Sequence, residues 1–406
     1  MSKIDLRDAH FDTRLVHAAQ ERDGATGAIQ TPIYLTSTFG FETIDDIIAT
    51  KAGKRKGYAY TRASNPTNEV LEHKLAILEG GQAAAVTASG MGAIGATLVS
   101  FLRVGDHVVC SDGVYGGTDY AMRNNLPDMG IEVTFVDATD TCAVEAAITA
   151  KTKMIYFETP INPTMKLADI RAIAAIGKAR GIKVVVDSTF APPPIQYPLL
   201  LGVDLVIHST TKYINGHGDV LGGAVIGSAE DIGRIKTRGI SKVCGTPQSP
   251  FASFLILRGI KTLGLRVRHQ CATAMALATH LATHDYIERV NYPGLPSHPQ
   301  HELAKNQMRD GMYTGMLSII MKDGIHGQTA KEAAKKLVST LSIPTIAPSL
   351  GDPDSLVSHS VSMSHDIVPE AERIKSGVTD GLVRISVGLE HPGDLINDFD
   401  KTLAAL

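Results

Sequence analysis

The sequence predicts an α/β protein: a mostly parallel central sheet covered on both faces, followed by a smaller C-terminal α+β domain. Three observations carry that prediction. Seven short, β-branched apolar runs alternate with helical patterns between residues 83 and 227, the signature of strands buried on both faces. After about residue 250 the texture changes to a long helical stretch and then to further strands. Every unusual polar cluster follows the end of a predicted strand, which is where open α/β sheets collect their ligands.

Taken in order, residues 1–62 hold "TPIYLTSTFGFET" and "KAGKRKGYAYTR". Their periodicity is weak, so they read as an extended arm. A large domain then runs over 63–255. Its candidate strands are "AAAVTAS" (83–89), "DHVVCS" (106–111), "IEVTFVD" (131–137), "KMIYFE" (153–158), "IKVVVDST" (182–189), "DLVIHS" (204–209) and "GGAVIG" (222–227). Between two of them "DIRAIAAIGKARG" (169–181) is apolar at helical spacing and closed by Gly181, a C-terminal stop signal. The C-terminal domain, 256–406, begins within one long helical stretch, "SPFASFLILRGIKTLGLRVRHQCATAMALATHLATH". "YIERVNYPG", "GMLSIIMK", a helix near 328–340 and "GLVRISVGLE" follow it.

Composition excludes several classes. Of 406 residues, 44% are hydrophobic and 20% charged, so the chain has ample material for a core and is not disordered. A formal net charge of -3 suggests neither nucleic acid nor an anionic membrane as partner. No apolar run approaches the roughly 20 residues of a bilayer span. The charged N-terminal stretch has no apolar segment like that of a signal peptide. Cys110, Cys142, Cys244 and Cys271 are scattered, which implies neither a disulfide framework nor a zinc site. A cytoplasmic protein is expected.

Four clusters carry chemistry. In "TASGMGAIGATLVS" a strand empties into Ser89-Gly90-Met91-Gly92 and then a helix. Glycines there leave backbone N–H groups open to a phosphate, although alone the stretch is an ordinary tight turn. In "VVVDSTF" Asp187 ends a valine run; a buried carboxylate needs a partner, either an ordinary helix terminus or arginine, or the protonated ring nitrogen of a cofactor. In "DLVIHSTTKYINGHGDVLGG" Lys212 stands at the mouth of a buried strand between Ser209, Thr211 and glycines. A desolvated lysine has a lowered pKa suited to imine chemistry. In "DGVYGGTDY" Tyr115 has the flat ring that stacks on another aromatic system. Each is weak singly. Together, a phosphate cradle, a stacking ring, an aspartate and a lysine are what pyridoxal 5′-phosphate requires.

At these residues the chain resembles the Cys/Met-metabolism family of pyridoxal-phosphate enzymes: methionine γ-lyase, cystathionine γ-lyase and γ-synthase, and the homoserine-ester sulfhydrylases. The resemblance runs from "IQTPIYLTSTF" through "YAYTRASNPTNEVLEHKLAILEGG", "FETPINPTMKLADI", "VVVDSTFAPP" and "HSTTKYINGHGDV" to "PSLGDPDSLVSHSVSMSH" and "GLVRISVGLE". It implies an aspartate-aminotransferase-like fold (fold type I) and a homotetramer built from dimers with shared active sites. It further implies that Lys212 binds the cofactor and moves protons, that Asp187 pairs with the ring nitrogen, and that Tyr115 stacks and acts as acid at the leaving group. Gly90, Met91, Ser209 and Thr211 would hold the phosphate, with Tyr60 and Arg62 reaching it from a neighbouring subunit. Arg384 would grip the carboxylate of an amino-acid substrate, and Asn162 and Ser349 would help to position it.

Departures from the family pattern narrow the expected reaction. Methionine γ-lyases typically carry a cysteine where this chain has Gly117, which counts against strict methionine specialisation. Cystathionine enzymes place polar or acidic groups where Ala59, Tyr120 and Pro348 stand, so a substrate with a second charged end would lose its partners. The expected activity is γ-elimination from a homoserine- or homocysteine-type amino acid, methionine-like or an O-substituted homoserine such as canavanine. The alternatives are γ-replacement, as in the sulfhydrylases, or a cystathionine γ-lyase or γ-synthase. Whether Asp119, Lys242 or Pro348 tunes specificity is left open by the sequence.

Overall fold

The computed structural model describes residues 6–363 and 370–406. Residues 1–5 of the expected arm and the last two of "PSLGDPDSLVSHSVSMSH" lie outside them. All seven predicted strands form: β1 (Ala83–Thr87), β2 (His107–Ser111), β3 (Glu132–Val136), β4 (Thr152–Glu158), β5 (Lys183–Asp187), β6 (Leu205–His208) and β7 (Gly223–Gly227). They make one sheet in the order β1-β7-β6-β5-β4-β2-β3. Only β7 runs against its neighbours, β1 and β6, so the other six point their carboxyl ends to the same edge.

Alternation along the strands explains the two covered faces. Val108, Cys110, Met154, Tyr156, Val185, Leu205 and Ile207 pack beneath the helix Gly90–Phe101. Val109, Ile155, Phe157, Val184, Val186 and Val206 pack against the helix Ile170–Arg180 on the other face. That helix starts on Asp169, whose carboxylate accepts the N–H of Ala172, and ends at left-handed Gly181, as its spacing predicts.

A second sheet is built from β8 (Ile287–Asn291), β9 (Met316–Met321), β10 (Thr345–Ile346), β11 (Leu356–His359) and β12 (Leu382–Ser386), in the order β10-β11-β12-β9-β8. The stretch 249–284 is two helices, Pro250–Ile260 and Leu263–Leu281. The break has a local cause: the carbonyl of Gly259 accepts from the Arg266 guanidinium and from the Thr262 hydroxyl, so helical bonding does not continue through it. The stretch read as an extended arm also contains two short helices, Phe11–His17 and Ile44–Lys51. Among the described residues no helix is long and apolar enough to cross a membrane.

The helix Phe11–His17 is tied down by a buried lysine amine. Lys74, fully buried, donates to the carbonyls of Leu15 at 2.8 Å and Val16 at 3.3 Å. Burial, with Lys261 adding to it, pulls its pKa from 10.5 down to about 7. Between those values the unfolded chain binds the proton and the folded chain does not, so folding stability rises with pH across that window. The contribution is complete above about 10.5 and gone below about 7, at a slope approaching about 1.4 kcal/mol per pH unit. Denaturant titrations from pH 7 to pH 10 are expected to show that rise in the wild type and a flatter profile in Lys74→Met.

Candidate active site

Six strand ends of the first sheet lie at one edge, and the predicted residues of the large domain end or follow β1, β2, β4, β5 and β6. Beyond β1, Ser89 caps the helix Gly90–Phe101, its hydroxyl accepting the N–H of Gly92 at 3.0 Å. The N–H groups of Gly90 and Met91, in the helix's first turn, are left without helical partners. A Cβ on Gly90 would lie 3.0 Å from the Cβ of Ser209, so glycine is what lets the helix start approach the exit of β6. Ser209 donates its N–H to the Thr189 hydroxyl. Thr211 is engaged within its own loop: its hydroxyl accepts from Gly222 N–H at 2.9 Å and lies 3.2 Å from the Gly222 carbonyl.

Asp187 ends β5 and is buried. One carboxylate oxygen, Oδ1, accepts both the backbone N–H of Thr189 at 3.0 Å and its hydroxyl at 2.5 Å. Burial pushes the carboxyl up, while the Thr189 bonds and His208 pull it back. The other oxygen has no hydrogen-bond partner among the described residues. A buried carboxylate left half-satisfied is unfavourable until a cationic donor arrives.

Lys212 follows β6, and its ammonium donates to the Ser349 hydroxyl at 2.7 Å. Burial pushes its pKa down, Asp352 opposes that, and Arg384 adds to it. Arg384, on β12, donates to the Asn162 side-chain oxygen at 3.2 Å and to the Ser349 carbonyl at 3.0 Å. Its pKa is drawn down to about 10 by burial, against the pull of Glu158 and Tyr213, so it stays cationic at neutral pH. Ser349 thus serves lysine and arginine together, and does so at φ +114°. That conformation is sparsely populated for a residue with a side chain and is typical of sites where the fold imposes it. The second sheet therefore contributes Arg384 and the first contributes Lys212 and Asn162.

Tyr115 precedes the short helix Gly116–Tyr120, with its ring half exposed. A Cβ on Gly117 would meet the Tyr115 ring at 2.7 Å and the Met91 sulfur at 2.8 Å. Any larger residue at 117 presses on both. Asp119 is occupied by a two-point contact with Arg123, at 2.8 and 3.0 Å, and Arg123 stacks over Phe135. Lys242 and Pro348 are exposed.

Tyr60 and Arg62 are not brought to Lys212. They lie exposed on the arm, with the Arg62 guanidinium 5.2 Å over the Tyr60 ring. Four residues were given no site role by the sequence. Thr189 is one; an aspartate bonding the backbone two residues on is a recognisable turn. Glu158 is another, since it ends β4 just as Asp187 ends β5. Asp352, in the quoted "PSLGDPD", faces Lys212 electrostatically. Arg266 left no sequence signal beyond being a cation on a helix. It is buried and donates to the carbonyls of Tyr213, Ile214 and Asn215, immediately after Lys212, and to Gly259. Gly216, at φ +64°, closes that turn where a Cβ would sit 1.7 Å from the guanidinium.

These residues fit pyridoxal 5′-phosphate. The half-satisfied Asp187 suits a protonated ring nitrogen, the glycine-permitted approach at Gly90 and Ser209 suits a phosphate, and the desolvated Lys212 suits a carbonyl partner. Comparison with known proteins agrees. The chain is 44% identical to an L-methionine gamma-lyase of Porphyromonas gingivalis, covering 100% of both chains. It is 44% identical to a cystathionine beta-lyase of Coxiella burnetii, over 99% of this chain and 100% of the other. It is 42% identical to an L-methionine gamma-lyase of Pseudomonas putida, over 97% of each. Residues 12–404 match the family described as Cys/Met metabolism PLP-dependent enzyme, and with that match, the two-sheet α/β fold and the lysine–aspartate site, the chain belongs to this family.

Proposed function

We propose that the protein is a γ-lyase that removes the Cγ substituent of a homocysteine-type amino acid. The observation that carries this reading is the Lys212–Ser349–Arg384 cluster: a proton-transferring amine and a carboxylate grip joined through one residue. Pyridoxal phosphate, when bound, supplies the electron sink that stabilises negative charge beside the amino-bearing carbon. Arg384 holds the substrate carboxylate as a two-pronged donor, with Asn162 and Ser349 beside it. Asp187, oriented by Thr189, keeps the ring nitrogen protonated. Gly90, Met91, Ser209 and Thr211 cradle the phosphate. Lys212 anchors the cofactor at rest, then takes the Cα proton and moves the Cβ proton. Tyr115 stacks on the ring and gives a proton to the leaving heteroatom. Elimination from a four-carbon backbone, followed by hydrolysis, yields 2-oxobutanoate and ammonia.

The leaving group is read from what surrounds Tyr115. Asp119 is already neutralised by Arg123, so it offers no spare charge to a cationic leaving group, and a thiol is favoured over a guanidinooxy group. Ala59 and Pro348 offer no distal charge to cystathionine. We also place the protein in the cytoplasm as a homotetramer, with an arm (1–62) that carries Tyr60 and Arg62 to a neighbouring copy. Exposed Ile29, Leu35, Ile44 and Ile48 along that arm support such a contact.

The test is a substrate panel of methionine, homocysteine, cystathionine, O-acetylhomoserine, canavanine and cysteine, with keto acid and thiol release measured. Methionine is expected to give 2-oxobutanoate and methanethiol, and homocysteine 2-oxobutanoate and hydrogen sulfide. Pyruvate from cystathionine alone would replace this reading with β-elimination. A replacement product formed from O-acetylhomoserine and added thiol, without keto acid, would replace it with γ-replacement.

A further inference from the structure

Glu158 and Asp187 are paired in register at the ends of adjacent parallel strands β4 and β5. Both are buried. The Glu158 carboxyl accepts the backbone N–H of Tyr115 at 2.9 Å. The backbone N–H of Asn162 and the charge of Arg384 also face it, and Arg384 in turn bonds the Asn162 side chain. Tyr115 makes no side-chain cap to the helix it precedes, and its ring is half exposed. The bond from its amide to Glu158 ties its backbone to the end of β4, while its carbonyl accepts the Asp119 N–H of the helix at 2.9 Å. One buried carboxyl borders the stacking tyrosine, the Asn162 loop, the carboxylate-gripping arginine and the aspartate of the ring nitrogen.

We infer that Glu158 is a positioning residue, setting the height of the Tyr115 ring over the cofactor and locking that height to the Asn162–Arg384 side of the site. It does so as a neutral acid. Two carboxyls on neighbouring strand ends in a dry site do not both ionise. Burial and Asp187 push Glu158 well above the ordinary carboxylate range, against the Tyr115 and Asn162 N–H groups and Arg384; burial raises Asp187 too, and the Thr189 bonds and His208 pull it back towards the charged form. The negative charge thus stays where a ring nitrogen can use it, and Glu158 keeps an oxygen for the Tyr115 amide.

This inference rests on the proposed cofactor site, so wild-type protein is first incubated with pyridoxal phosphate, reduced with borohydride and mapped by peptide mass. A label absent from the Lys212 peptide overturns the site reading itself. With the label in place, Glu158→Leu, Glu158→Gln and Glu158→Asp are compared by cofactor dissociation constant and by the visible circular dichroism of the bound cofactor, which reports ring stacking. The leucine variant is expected to bind cofactor about tenfold more weakly or worse and to lose or reshape the dichroic band. Glutamine, isosteric with the neutral acid, is expected to restore both to within about threefold. Aspartate keeps a carboxyl but shortens its reach, and is expected to alter the band; it decides the matter should the leucine variant fail to fold. Wild-type affinity and dichroism in the aspartate variant, or a glutamine variant as impaired as leucine, would overturn the role of Glu158 while leaving the Lys212 site intact.

Discussion

Replacing Lys212 by alanine is expected to lower turnover of the best γ-substituted substrate by about 10⁴-fold or more, measured as keto-acid release under saturating pyridoxal phosphate. The size follows from how much converges on one amine. On the proposed mechanism it would anchor the cofactor, and its pKa is lowered by burial, which suits an amine that accepts a proton from carbon and returns it elsewhere. Arginine is expected to rescue nothing, because a guanidinium does not deprotonate in this range. A Lys212→Ala protein that retained even a tenth of wild-type turnover would remove lysine from the mechanism.

Arg384→Leu is the second large effect. Deleting one partner of a buried, hydrogen-bonded charge pair costs about 3–5 kcal/mol, so kcat/KM should fall by about 10²–10³-fold or more, chiefly through KM. Lysine at 384 should recover only part of this, since a point charge does not reproduce the two-pronged contact that Arg384 makes with Asn162 and Ser349. An unchanged KM in the leucine variant would place the substrate carboxylate elsewhere.

What could be read in the sequence and what could not divide along physical lines. The central strands of the large sheet were legible because burial on both faces demands continuous apolar runs, and "VVVD" and "DLVIH" satisfy it. Asp187 and Lys212 were legible because charges at the mouths of buried strands are costly without partners, and together with the glycines and Tyr115 they describe one ligand. β11 was not: "LVSH" is short, its serine and histidine are buried through partners that only the fold supplies, and periodicity gave no warning. The helix break at Lys261–Thr262 was hidden because neither residue is a breaker; the cause is a guanidinium one turn further on. Arg384 and Ser349 took their expected places from family resemblance, and the structure brings them beside Lys212 by joining two sheets distant in sequence. Glu158 obeyed the same strand-end logic as Asp187, yet its neighbours "TPINP" resemble an ordinary loop.

Arg266 has one more consequence. With the carbonyls of residues 213–215 held by a buried guanidinium, the backbone beneath Lys212 cannot drift when its side chain lets go. On the proposed mechanism that would leave only the four methylenes of the lysine to swing, and would keep the amine at a high effective concentration beside the cofactor. Recapture by Lys212 would then be an intramolecular event, insensitive to how much free cofactor or amine the surroundings contain.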